Sequence, residues 1–222
     1  MKKGLTEIVF ILDRSGSMSG LETDTIGGYN SMLEKQKAEE GEALLSTVLF
    51  DDRVEILHDR KSLSQVKPIT EKEYFVRGST ALLDAVGGAI RHIGKLQKSL
   101  SEEERPEKTI FIITTDGMEN SSREYSYDKV KKMVEKKKTK KQWEFIFLGA
   151  NIDAVKEAGR LGIAANRSAR YNNDKKSVRR NYGVVSGMLK AARCAPSADA
   201  MEACISDGGY LDEIRDNYKE ED

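Results

Sequence analysis

The densest chemistry in the sequence lies in Asp13-Arg14-Ser15-Gly16-Ser17-Met18-Ser19. Asp13, Ser15 and Ser17 are two apart, and a tight loop can bring residues at that spacing onto one point. One carboxylate and two hydroxyls are hard oxygen donors. They suit Mg²⁺ or Mn²⁺ rather than Zn²⁺, which prefers nitrogen and sulfur. Gly16 and Gly20 permit the sharp backbone path. Alone, the pattern also suits a serine-rich loop capping the next helix. Two further stretches bear on the choice. Arg77-Gly78-Ser79-Thr80 offers hydroxyls just ahead of an expected helix, and Thr114-Thr115-Asp116-Gly117 ends an apolar run with a carboxylate.

The elements that must position these loops follow from hydrophobic patterning. Residues 6–13, 43–50, 109–114 and 143–149 are β-branched or nearly continuous apolar runs, which suits strands covered on both faces. Residues 53–58 follow 43–50 across the short Asp51-Asp52 connection, which implies an antiparallel hairpin with its second arm at the sheet edge. Residues 59–77 read as polar and irregular, and 163–168 as a last edge strand. Helical spacing is expected around Leu21, Thr25, Tyr29, Met32 and Leu33, from Thr80 to Leu100, over 127–138, after a cap at Asn151, and over 174–192. Strands separated by helices give an α/β fold: a Rossmann-like, doubly wound, mostly parallel sheet of about six strands with helices on both faces. Such sheets bind ligands at the carboxyl ends of their strands, where all three loops fall.

With the loops so placed, the sequence resembles the von Willebrand factor type A (vWA) family over roughly residues 5–192. The family's metal-ion-dependent adhesion site has the form Asp-x-Ser-x-Ser, then a Thr, then a later Asp. The matching positions are Asp13, Ser15, Ser17, Thr80 and Asp116. The resemblance implies Mg²⁺ (or Mn²⁺) at these loops, with Ser15, Ser17 and, when engaged, Thr80 as direct ligands and the two acids acting mainly through water. An ion so held is under-neutralised, so a protein partner supplying an Asp or Glu can complete its sphere. The implied function is a non-catalytic, metal-dependent protein-binding module, resembling intracellular, prokaryotic or phage-borne members that serve as assembly or regulatory subunits.

Composition narrows the alternatives. The chain has 222 residues, and its 37 Lys and Arg balance 37 Asp and Glu, so neither nucleic acid nor an anionic membrane is the default partner. No apolar run approaches the ~20 residues of a membrane span. Lys2, Lys3 and the run Ile8 to Leu12 imitate an export signal, but Glu7 and Asp13 bracket a run too short for one, which points to the cytoplasm. Cys194 and Cys204 are expected as unpaired thiols. An aspartyl phosphatase needs a second acid where Ser15 stands, there is no phosphate-binding Gly-x-x-x-x-Gly-Lys loop, and His58 and His92 stand alone. A Mg²⁺-dependent phosphoryl hydrolase is therefore the lesser alternative. The other is a scaffold using different surfaces, RNA binding included. Residues 129–141 hold eight Lys and one Glu, which read as a solvated helix face. Arg14 is expected at the surface or facing a partner carboxylate. Asp84 reads equally as a helix N-terminal acid or a support of the site. Glu119 and Asn120 read as polar loop residues. Gly27-Gly28 and Gly87-Gly88 read as close contacts with the sheet, and Trp143 as packing. The chain divides into a domain over 1–195 and a helical extension over 196–222 with a frayed acidic end.

Overall fold

The computed structural model describes residues 1–150 and 152–219. Six strands form one sheet: β1 (Lys2–Asp13), β2 (Ala43–Phe50), β3 (Val54–Ser62), β4 (Pro106–Thr115), β5 (Glu144–Ala150) and β6 (Ser168–Tyr171). Their order is β3-β2-β1-β4-β5-β6, with every neighbouring pair parallel except β2–β3. The order reverses between β1 and β4, so the loops after these two strands flank the switch point. Those loops carry Ser15 and Asp116.

Alternation along β1 sorts the core into two layers, because successive side chains point to opposite faces. Ile8, Phe10 and Leu12 face α1 (Glu22–Ala38) and α5 (Lys175–Cys194), with α6 (Ala198–Asp207) and α7 (Asp212–Asp216) in the same layer. Val9 and Ile11 face α2 (Leu82–Ser99), α3 (Tyr127–Lys141) and α4 (Ala154–Arg160). Met201, Ile205, Leu211 and Ile214 from residues 196–219 are buried in the first layer. Arg215 donates to the Ser168 carbonyl on the outer side of β6, which occupies part of that edge.

Several boundaries depart from the pattern. β3 does not stop at His58. It runs on to Ser62 through two register shifts against β2, with Arg60 at φ 46°, a bulged path that no periodicity signals. The last strand lies at 168–171, not 163–168, because Ile163 packs into the second core layer instead of pairing and 165–167 form a 3-10 turn. The Asn151 cap falls outside the described residues, and Asp153 caps α4 by accepting from the Lys156 N–H at 3.0 Å. Residues 220–222 of the acidic end also fall outside them.

The glycine pairs behave unlike the expectation. Gly28 and Gly87 are needed for close approach, but to tyrosines, not the sheet. A Cβ on Gly28 would lie 2.3 Å from the Tyr182 ring, and one on Gly87 2.4 Å from the Tyr125 ring. Gly27 and Gly88 face open space. Trp143, 2% exposed, stacks on Phe111 with ring centroids 5.1 Å apart.

Candidate metal centre

All five oxygen-bearing residues meet at the carboxyl end of the sheet. Thr80 Oγ1 donates to Ser15 Oγ at 3.1 Å, Ser15 Oγ and Ser17 Oγ share a hydrogen bond at 3.0 Å, and Ser17 Oγ donates to Asp116 Oδ1 at 2.5 Å. Three hydroxyls thus pass their protons along one line that ends on a carboxylate. Asp13 braces that line. Its Oδ1 accepts from the Ser15 N–H at 2.7 Å and its Oδ2 from the Thr115 hydroxyl at 2.6 Å. Asp13, Ser15, Thr80 and Asp116 are all buried.

The loops are locked to one another before any ligand arrives. The first loop joins the second through the Gly16 N–H on the Gly78 carbonyl at 3.1 Å and the Arg77 N–H on the Arg14 carbonyl at 2.9 Å. Gly78 sits at φ 66°, and a Cβ there would lie 2.2 Å from Asp52 Oδ1, so only glycine makes this turn. The third loop clasps the start of α2. Asn120 Oδ1 accepts from the Thr80 N–H at 2.9 Å, Glu119 Oε2 from the Leu83 N–H at 2.8 Å and Ser122 Oγ from the Asp84 N–H at 3.0 Å. Asp84 returns the contact, accepting from the N–H groups of Arg123, Glu124 and Tyr125. Glu119 therefore takes up an N-terminal N–H of α2 and Asn120 holds the Thr80 backbone just ahead of it, so neither is a bland loop residue, and Asp84 supports the third loop.

Arg14 is neither at the surface nor free for a partner. It is fully buried, and it donates to Asp51 Oδ2 at 2.8 Å, Glu55 Oε2 at 2.8 Å and the Glu73 carbonyl at 3.3 Å. Arg77 donates to the same Asp51 oxygen at 2.8 Å. The pair hold the Asp51 carboxyl below its usual range, against the opposing pull of its desolvation. This ion cluster ties the first loop to the β2–β3 turn. Among the described residues no salt bridge reaches Asp13 or Asp116. Burial pushes the Asp116 carboxyl up to about 6; the neighbouring Asp13 charge adds to the push, and bonds from Ser17 and Asn173 resist it. Burial raises Asp13 as well.

The donor set fits a small hard cation. Oxygens at adjacent corners of an octahedron with ~2.1 Å bonds lie ~3.0 Å apart. The hydroxyl–hydroxyl spacings of 3.0 and 3.1 Å match that figure. Gly117 keeps the space between them clear: a Cβ there would lie 2.7 Å from Thr80 Oγ1 and 3.0 Å from Ser17 Oγ. Among the described residues no three His, Cys, Asp or Glu side chains converge, so a cation here would rest on hydroxyls and two acids. His58 bonds Thr47 and His92 bonds Asp59, leaving neither for this site. Thr115 and Asn173 are site residues the sequence did not single out. Asn173 Nδ2 donates to Asp116 Oδ2 at 3.1 Å across 57 positions, which no local signal could reveal.

No family model matches the sequence, and no curated protein matches it either. Solved structures do. The von Willebrand factor type A protein from Catenulispora acidiphila is 13% identical, with TM-score 0.55, over 84% of this chain and 42% of that one. The proximal thread matrix protein 1 of mussel byssus, with a zinc-occupied metal-ion-dependent adhesion motif, is 16% identical, with TM-score 0.55, over 85% and 46%. The manganese-loaded TRAP protein of Plasmodium vivax is 15% identical, with TM-score 0.53, over 82% and 74%. The chain has the von Willebrand factor type A fold. It spans less than half the length of the Catenulispora and mussel chains. The sheet is mostly parallel, with β3 as its one antiparallel strand among the described residues.

Other surfaces carry less. The lysines of 129–141 lie on α3. None enters a salt bridge among the described residues, though Lys137 stands 4.0 Å from the centroid of the Trp143 ring. Cys194 and Cys204 are free thiols. No helix among the described residues is long and apolar enough to cross a membrane.

Proposed function

We propose that this vWA chain is a non-catalytic protein-binding module that uses Mg²⁺ or Mn²⁺ at Asp13, Ser15, Ser17, Thr80 and Asp116 to capture an Asp or Glu of a partner protein. The observation that carries the reading is the line of three hydroxyls ending on Asp116, spaced as cation ligands and left without a cation from the chain itself. The zinc and manganese held by two vWA-fold neighbours support it. When bound, the ion supplies an electrophilic centre that a partner carboxylate can reach. The chain's residues do the rest. Ser15, Ser17 and Thr80 offer lone pairs without adding charge, and the two acids balance the ion only in part. The hydrogen bonds from the Thr80 N–H to Asn120 and from the Leu83 N–H to Glu119 fix Thr80 in place. No histidine reaches the site, and its two carboxylates are taken up by Ser15, Thr115, Ser17 and Asn173, which favours binding over hydrolysis. The two free thiols support a reducing, cytoplasmic setting.

Peptide display tests the reading. Random peptides panned on the protein in Mg²⁺ and eluted with a chelator should enrich for Asp or Glu at one position. Thr80→Ala should lose that enrichment while melting as the parent does. Enrichment that ignores the chelator, or that survives Thr80→Ala, contradicts it.

A further inference from the structure

Resting on that metal-binding reading, we infer that Asn173 is a further positioning residue of the site: its amide N–H₂ fixes the rotation of Asp116, and its carbonyl oxygen accepts a hydrogen from water held by the ion. Asn173 lies in the loop between β6 and α5, an element outside the Asp-x-Ser-x-Ser, Thr and Asp pattern. The two oxygens of Asp116 have separate duties. Oδ1 takes the Ser17 hydroxyl, and Oδ2 takes the Asn173 amide at 3.1 Å. Without the second bond the carboxylate is free to turn about its own axis, and Oδ1 leaves the line of hydroxyls.

The other half of the Asn173 amide is the second observation. Its Oδ1 is sealed from solvent and has no hydrogen-bond partner. A buried acceptor left unpaired is costly, and such groups mark places where an ion or water belongs. Mg²⁺ keeps several of its waters when a protein holds it by few charged ligands. Those waters are strong donors, and the unpaired Oδ1 belongs to the same amide that holds Asp116.

The backbone around Asn173 is rigid enough to aim it. On one side, the Asn172 amide exchanges two hydrogen bonds with the Lys219 backbone, at 2.6 and 2.9 Å. On the other, Asp174 caps α5, accepting from the Ser177 N–H at 2.9 Å and its hydroxyl at 2.8 Å. The loop is therefore held by its neighbours, and Asn173 spends its own side chain on Asp116 alone. Residues that orient a metal ligand without touching the metal typically control affinity by about ten- to a hundredfold.

Mn²⁺ titration of four proteins tests this: the parent, Ser15→Ala/Ser17→Ala, Asn173→Leu and Asn172→Ala. Leucine keeps the volume and removes both hydrogen-bonding groups, while Asn172→Ala loosens the same loop without touching Asp116. The inference expects one site in the parent, none in the double variant, at least about tenfold weaker binding in Asn173→Leu, and a clearly smaller loss in Asn172→Ala, which keeps the Asn173 amide. The electron paramagnetic resonance of bound Mn²⁺ should change shape in Asn173→Leu only. Metal-free melting of Asn173→Leu should stay within about 2 °C of the parent. If leucine does not fold there, Asn173→Ala serves in its place. Parent-like affinity in the Asn173 variants, or an equal loss in Asn172→Ala, overturns the inference and leaves the metal site standing. A parent that binds no Mn²⁺ overturns both.

Discussion

At the amino end of the sheet, Lys108 lies buried on β4 and donates to the carbonyls of Arg193 and Ala195 at 2.5 and 2.7 Å, closing the C-terminus of α5. Arg193 in turn closes the C-terminus of α1, donating to the carbonyls of Gln36, Glu39, Glu40 and Gly41. Arg167 pairs with Glu144 at 2.7 Å and Arg60 with Glu7 at 2.6 Å. At the carboxyl end, Asp13 and Asp116 lie equally buried among hydroxyls with no cation beside them. The first arrangement draws its cations from the chain itself, since helix C-termini carry partial negative charge and buried cations answer it. The second has no cation from the chain beside it, and burial holds its acids above their usual pKa range. The same fold therefore has a structural end that supplies its own ions and a functional end that must borrow one.

The largest expected effect lies at the amino end. Arg193→Met should lower unfolding free energy by ~3 kcal/mol, because four carbonyls, one of them fully buried, lose their donor at once. Urea unfolding measures it, and Mn²⁺ affinity should be unchanged in the fraction that folds. A variant as stable as the parent breaks the claim that this end is held by its internal cations. Asp116→Asn should do the reverse at the other end. It removes a charge the fold buries without compensation, so metal-free stability at pH 7 should rise by ~1–3 kcal/mol while metal binding is lost. Destabilisation would mean that Asp116 already has its counter-charge.

The same imbalance sets a pH trend. Asp116 titrates near 6 when folded and near its ordinary 3.8 when unfolded, so between these values the folded state holds the extra proton. Metal-free stability should therefore fall as pH rises from about 4 to about 6, and saturating Mg²⁺ should flatten the slope. Unfolding curves across that range, with and without Mg²⁺, check both parts, and a slope that Mg²⁺ leaves alone counts against the comparison. The smallest change in structure is Gly117→Ala. One methyl group set 2.7 Å from Thr80 Oγ1 displaces the hydroxyls and should weaken metal binding by about tenfold, or ~1.4 kcal/mol, a larger loss than in metal-free stability. Parent-like affinity would show that the hydroxyl spacing is not what the ion reads.

The two ends also differ in how far the sequence reveals them. The carboxyl end was legible because its chemistry is local. Asp13, Ser15 and Ser17 sit on one loop, Thr80 just precedes a strongly periodic helix, and Asp116 ends an unmistakable buried strand. The sheet then brings the three loops together without further information. Arg14 departs from the surface position its sequence suggests because its partners Asp51 and Glu55 lie 37 and 41 positions away. The capping role of Lys108 and Arg193 left no trace in the pattern, since a lysine opening a strand and an arginine ending a helix read as surface residues. β6 was placed too early because Ile163 is apolar for the sake of the helix layer, not the sheet. Contacts made between elements, rather than within them, were the ones the pattern could not carry.

The most direct test of the central claim, that the carboxyl end is completed by a cation from outside, is the unfolding free energy of the parent and of Ser15→Ala/Ser17→Ala as Mg²⁺ is raised at pH 7. The account predicts that the parent gains stability with the logarithm of Mg²⁺ above its dissociation constant, as a ligand bound only to the folded state requires, and that the double variant gains none. Identical curves for the two proteins, rising or flat, would contradict it.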